Sequence, residues 1–90
     1  MSRVNEHEVA EAVAKYLADH NGEAAIAELV ANLPGYLNLS DADRQESETR
    51  PGEQLWEQQV RNIISHRNSP GNAIHDGLLE YDGAGHLRLA

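Results

Sequence analysis

From the N-terminus, Val9, Val13, Tyr16 and Leu17 fall at i, i+4, i+7 and i+8, with Ala10 and Ala14 beside them. That spacing is the apolar stripe of one helix face. Asn5 to Glu8 has the form of a capping box, Asn5 accepting from the first turn and Glu8 reaching back. Asn21-Gly22 supplies the usual stop, so the pattern predicts a first helix over about 6–20. Glu23 to Ala25 is a short link or a very short strand. Ile26, Leu29, Val30 and Leu33 resume helical spacing until Pro34-Gly35, which predicts a second helix over about 25–33.

Ser40 can cap a brief helical turn, and residues 45–53 hold no apolar member and read as a loop. Arg50-Pro51-Gly52 then sets the start of a third helix, over about 54–67. Trp56, Val60, Ile63 and Ile64 form its buried side, and Gln54, Gln58, Arg61, Asn62 and Ser65 the opposite one. Asn68-Ser69-Pro70-Gly71 interrupts it. Gly77 to Tyr81 reads as a strand, Asp82-Gly83-Ala84-Gly85 as a tight turn, and His86-Leu87-Arg88-Leu89 alternates as a second strand does. The result is a hairpin over about 77–89. Three helices followed by a β-hairpin is the order of a winged helix-turn-helix, an α+β fold. The third helix would be its recognition helix and residues 82–86 its wing.

Ninety residues allow one small domain, 1–90, with no internal repeat. Aromatics are 4% with no Phe, so Leu, Ile, Val and Ala must build the core. The absence of Cys removes disulfide scaffolds, thiolate zinc sites and cysteine nucleophiles. No apolar run reaches the roughly 20 residues that cross a bilayer, and Met1 to Glu11 has no hydrophobic signal segment. The expected location is therefore the cytoplasm, with no membrane partner.

Charge changes the picture. Fifteen acidic against seven basic residues give −8, which by itself argues against a nucleic-acid partner. Lys15 is the one lysine, and a chain rich in Ala, Glu and Asp but poor in Lys and Phe resembles proteins of extreme halophiles. In molar salt the Debye length falls to about 3 Å, and global charge then steers DNA very little. The acids are also unevenly placed. None lies between Glu57 and Asp76, a segment that carries Arg61, His66, Arg67 and His75 among Gln58, Gln59, Asn62, Ser65 and Asn68. It reads as an exposed, acid-free, hydrogen-bonding surface.

One family shares these features. Ile26-Ala27-Glu28-Leu29, Leu39-Ser40 followed by acids, Gly52 ahead of an aromatic-containing helix, Gly77-Leu78-Leu79 and the closing Leu87-Arg88-Leu89 together resemble the N-terminal domain of Mrr-type restriction endonucleases. Related winged helices attached to nucleases of the HNH class are similar. The resemblance covers roughly residues 24–90. It implies a DNA-targeting module, reading modified duplex DNA with N6-methyladenine as the preferred base, covalently linked to a separate nuclease domain that cuts. The acidic surface and the break at Pro70-Gly71 depart from the family pattern.

The candidate residues follow. Gln58, Arg61, Asn62 and Ser65 form one helical stripe suited to the major groove, where Arg pairs bidentately with guanine and Asn or Gln with adenine. The alternative is an ordinary solvated helix face. Gln54 and the amides of the first turn can meet a phosphate. Arg50, Arg67 and Arg88 are the expected phosphate contacts, with His86 near the wing tip; such contacts position a protein without reading sequence. Taken singly, each fits a surface ion pair better; as a group flanking one helix they point to phosphate. Trp56, and more weakly Tyr36, are candidates to enclose a modified base, although the phase of Trp56 with Val60 and Ile63 also fits the core.

No metal or other cofactor is expected. The five histidines, His7, His20, His66, His75 and His86, include no pair at helical i, i+4 spacing, and His66-Asn72-His75 lacks a nuclease's strand-turn-helix cradle. No phosphate loop follows a strand, and Asp41 and Asp43 sit in a capping turn, so no catalytic site is expected. Two rivals stand beside the DNA-targeting reading. One is a transcriptional regulator of the same fold, which a dimerisation helix would mark. The other is a protein–protein interaction module, for which −8 suits a basic partner.

Overall fold

The computed structural model describes residues 3–90. Its first helix, α1 (Glu6–Asp19), begins at the capping box read from the sequence: the Glu8 amide donates to Asn5 Oδ1 at 2.8 Å and the Asn5 amide to Glu8 Oε1 at 3.1 Å. It closes where Asn21 and Gly22 take left-handed φ of 67° and 82°, which lets the Gly22 amide turn back to the Leu17 carbonyl at 2.6 Å. Strand β1 (Glu23–Ala25) follows, then α2 (Ile26–Asn32), which tightens into a 3-10 turn over Leu33–Gly35. Helix α3 (Leu55–Ser65), β2 (Leu79–Tyr81) and β3 (His86–Leu89) complete the order.

The three strands form one antiparallel sheet in the order β1-β3-β2. Glu23 pairs with Arg88 and Ala25 with His86 on one side of β3, and Leu79 with Leu89 and Tyr81 with Leu87 on the other. The expected hairpin thus supplies the middle and one edge strand of a three-stranded sheet, and its strands start later than residue 77 because Ala73 to Gly77 is a run of turns. The third helix is also shorter than 54–67: His66 to Gly71 leaves the helical path as turns and bends. Over the described residues the chain is α+β, with three α-helices and a small three-stranded antiparallel sheet.

Helix α1 packs on both α3 and β3. Val9, Val13 and Leu17 from α1, Leu29 and Leu33, Val60 and Ile63 from α3, and Leu79 and Leu87 from the sheet are sealed from solvent. Each contributes roughly 1.5–3 kcal/mol of apolar burial. Trp56 joins them at 3% exposure.

The long segment between Tyr36 and Gln54 is tied down by one carboxylate. Asp43, 1% exposed, accepts from the amides of Val4 and Ser40 at 2.9 Å each and from the Ser40 hydroxyl at 3.1 Å. Ser40 caps the following turn in return, its Oγ accepting from the Asp43 amide at 3.2 Å. Beyond α3, buried Asn72 plays a similar part. Its Nδ2 donates to the Ile63 carbonyl and to Glu6, and its Oδ1 accepts from the amides of Ile74 and His75. Among the described residues no buried side-chain nitrogen or oxygen lacks a partner, and no helix is long and apolar enough to cross a membrane.

Candidate nucleic-acid interface

Helix α3 is laid down by the loop that precedes it. The Trp56 amide donates to the Asp43 carbonyl at 3.0 Å, Leu55 to Gln45 at 2.8 Å and Glu57 to Gln54 at 3.0 Å. The Glu57 carboxylate accepts from the Gln54 amide at 2.6 Å. The first-turn amides expected to receive a phosphate beside Gln54 are therefore already bonded. Carbonyls and the acidic Glu57 fill the place an anion would take.

Of the outward stripe, Gln58 is half-buried and its Nε2 donates to the buried Ser47 Oγ at 2.6 Å, which clamps the 45–53 loop against α3. Asn62, also half-buried, donates to Gln59 Oε1 at 3.2 Å. Arg61 and Ser65 are exposed. Arg61 is gripped side-on by Glu53: Nε lies 2.8 and 3.0 Å from the two carboxylate oxygens and Nη2 lies 2.8 Å from Oε2. That fork holds the Glu53 carboxyl below its ordinary range and raises the Arg61 guanidinium. Glu53 itself is fixed by its backbone, the carbonyl accepting from Ser47 at 2.7 Å and the amide donating to Arg50 at 3.1 Å. The turn that delivers it contains Gly52 at φ +85°, a conformation a side chain would strain.

The expected phosphate contacts divide. Arg50 and Arg67 are exposed, Arg67 using one nitrogen to cap the Ile64 carbonyl at 2.8 Å. Arg88 is compromised: its register partners on the two flanking strands are Glu23 and Glu80, and its Nε donates to Glu80 at 2.9 Å. A phosphate at Arg88 would approach between two carboxylates. His86 pairs with Asp82 at 3.1 Å. Asp82 in turn organises the hairpin tip, accepting from the amides of Ala84 and His86, and these bonds lower its carboxyl group.

The pocket expected of Trp56 and Tyr36 is not formed. Trp56 is buried with Val60 and Ile63, and its indole N–H donates to Gln54 Oε1 at 2.9 Å. It cannot stack on a base without leaving the core. Tyr36 belongs to a different cluster. Its ring meets Tyr16 edge-on at 5.5 Å and its hydroxyl donates to Asp19 at 2.7 Å. Tyr16 stacks on His20 and donates to Glu28 at 2.6 Å, which pushes its phenol up to about 12.

Acids from outside the acid-free stretch of Gln58 to His75 reach into it: Glu53 meets Arg61 at 2.8 Å and Glu6 meets His66 at 2.6 Å. Asn72, between His66 and His75, is a structural anchor rather than part of a nuclease cradle. Among the described residues no group of three or more His, Asp or Glu is placed to hold a metal. The sequence pattern passed over two features. One is Glu53, eight residues from Arg61 with no periodicity to link them. The other is a polar recess of about 360 Å³ beside Gln58, lined also by Arg3, Ser47, Thr49 and the acids Glu46 and Glu48. Comparison with protein-family models, with curated proteins and with solved structures finds no match in any of the three.

Proposed function

We propose that the chain is a winged-helix DNA-binding module, with α3 in the major groove and the β2–β3 hairpin against the backbone. It acts as the targeting part of a nuclease that reads modified DNA, N6-methyladenine being the first modification to test. The observation that carries this reading is the outward side of α3. In a chain with fifteen acids, the stripe itself is Gln58, Arg61, Asn62 and Ser65, with the Glu53 carboxylate brought against Arg61 from the preceding loop. The order α1-β1-α2-α3-β2-β3 with β3 central supports it, because this is the order in which a winged helix sets its third helix and hairpin side by side. Binding is the role of this module, and cutting belongs to a linked domain.

The pairing of Arg88 and His86 with hairpin carboxylates leaves Arg50 and Arg67 as the main phosphate contacts. About two phosphates neutralised corresponds to a log K against log salt slope of about −2, shallow for a DNA-binding domain. The test is fluorescence polarisation with matched duplexes, unmodified or carrying N6-methyladenine or 5-methylcytosine, across a salt series. Preference for one modified duplex that persists in high salt is the expected result. Equal, salt-sensitive binding to all three would reduce the role to generic DNA contact. No binding at low salt would reject DNA and favour a basic protein partner, which −8 and the pairing of Arg61 and Arg88 with carboxylates suit.

A further inference from the structure

We propose that Glu53 is a positioning residue for base recognition. It fixes Arg61 side-on so that the opposite, end-on pair of N–H groups meets O6 and N7 of a guanine in the major groove. This rests on the reading of α3 as the DNA-contacting helix.

A guanidinium has two edges that can each donate two parallel hydrogen bonds. Glu53 occupies the Nε–Nη2 edge of Arg61 with three contacts between 2.8 and 3.0 Å. Nη1 and the outer N–H of Nη2 make no bond among the described residues, and the side chain is 52% exposed. The free edge keeps two parallel N–H groups whose spacing suits the two acceptors of guanine. Glu53 is only 13% exposed, and its backbone is held at both its amide and its carbonyl, so the clamp does not drift with a flexible side chain.

The carboxylate also selects among partners for that edge. A phosphate oxygen is anionic and is repelled by a carboxylate a few ångströms away, whereas the guanine edge is neutral and pays little for its presence. Glu53 thus turns a side chain that alone would settle on the backbone into one that reads a base. An arginine already locked in its bound rotamer also loses less freedom on binding. Glu53 is largely buried and its fork with Arg61 is bidentate, so removing either partner costs some folding stability, and each variant is checked for folding.

The experiment is a binding selection from a randomised duplex library, sequenced for the full chain and for E53A, E53Q, R61A and R61K. Polarisation titrations follow on the enriched duplex, with 7-deazaguanine substituted at each guanine in turn. The wild type is expected to enrich a guanine whose N7 removal weakens binding about tenfold or more. R61A and R61K should lose that discrimination, since lysine keeps the charge but not the fork. E53A and E53Q should bind with similar overall affinity but discriminate several-fold less, and E53A should show a steeper salt slope as Arg61 turns to phosphate. Circular dichroism melting checks each variant, and E53Q, the closest in shape, carries the comparison if E53A does not fold. Undiminished guanine discrimination in both Glu53 variants would overturn the proposal while leaving DNA binding intact. A wild type that binds no duplex would overturn both.

Discussion

Asp43 shows how one buried charge is made tolerable. Desolvation pushes its carboxyl upward, but the amides of Ser40 and Val4, the Ser40 hydroxyl and the charge of Arg3 outweigh it, and the group ends below its ordinary value. A carboxylate depressed in the folded state stabilises the fold above its unfolded pKa, near 4, and that contribution is lost as pH falls through the folded value. Glu53, lowered chiefly by Arg61, and Asp76, lowered chiefly by the His75 side chain, act in the same direction. Urea melts at descending pH should show stability falling below about pH 4, with a smaller drop in D43N. At neutral pH, D43A strands the buried Val4 amide and the partly buried Ser40 amide and should lose about 2–3 kcal/mol. An unchanged midpoint would show that water replaces the carboxylate at no cost. Asp43 also matters to the site, since its carbonyl receives the Trp56 amide at the start of α3. Nothing in the sequence marks this; Asp41 and Asp43 look alike, and only the fold seals one of them.

At the scale of elements, α3 is held at both ends by residues outside it, the 43–47 loop at its start and Asn72 after its end. N72A removes four hydrogen bonds and is expected to lose about 2–3 kcal/mol of unfolding free energy, read as a lower urea midpoint at constant slope. N72D is expected to be worse at neutral pH, because it sets a second carboxylate 3.0 Å from Glu6, where the amide nitrogen now sits. A wild-type midpoint in N72A would mean that the turns after α3 do not hold it.

The helices were legible because their signals are local. Asn5 and Glu8 lie three residues apart, and Val9, Val13 and Leu17 repeat at helical spacing, so propensity and capping agree with the packed structure. β1 was legible as a short link or very short strand, but its place in the sheet was not. Three residues carry little pattern, and its partner on β3 lies more than 60 positions away, at Arg88 for Glu23. The stripe on α3 was placed on the correct side of the helix, but not its engagements. That Gln58 binds Ser47 and Arg61 binds Glu53 depends on where a loop without apolar residues folds back, and alternation or periodicity cannot report this.

For the whole molecule, net charge governs stability through distance. The principal extents are 32 × 27 × 24 Å, about one Debye length at 0.01 M salt and many at 1 M. At low salt the fifteen acids therefore repel across the full width of the fold, and at high salt only near neighbours interact. The melting temperature should rise by several degrees from about 0.01 M to 1 M NaCl. A fall would show that pairs such as Arg88–Glu80 outweigh the net repulsion. The sheet order has a consequence for biosynthesis. β3 is the middle strand and the last of the three to leave a ribosome, so β1 and β2 emerge with nothing to pair with. Ala24 and Leu79, buried in the finished fold, stay wet until His86–Leu89 is made. The sheet then closes along both edges of one strand together, and a circular permutant opening at His86 would deliver that strand first.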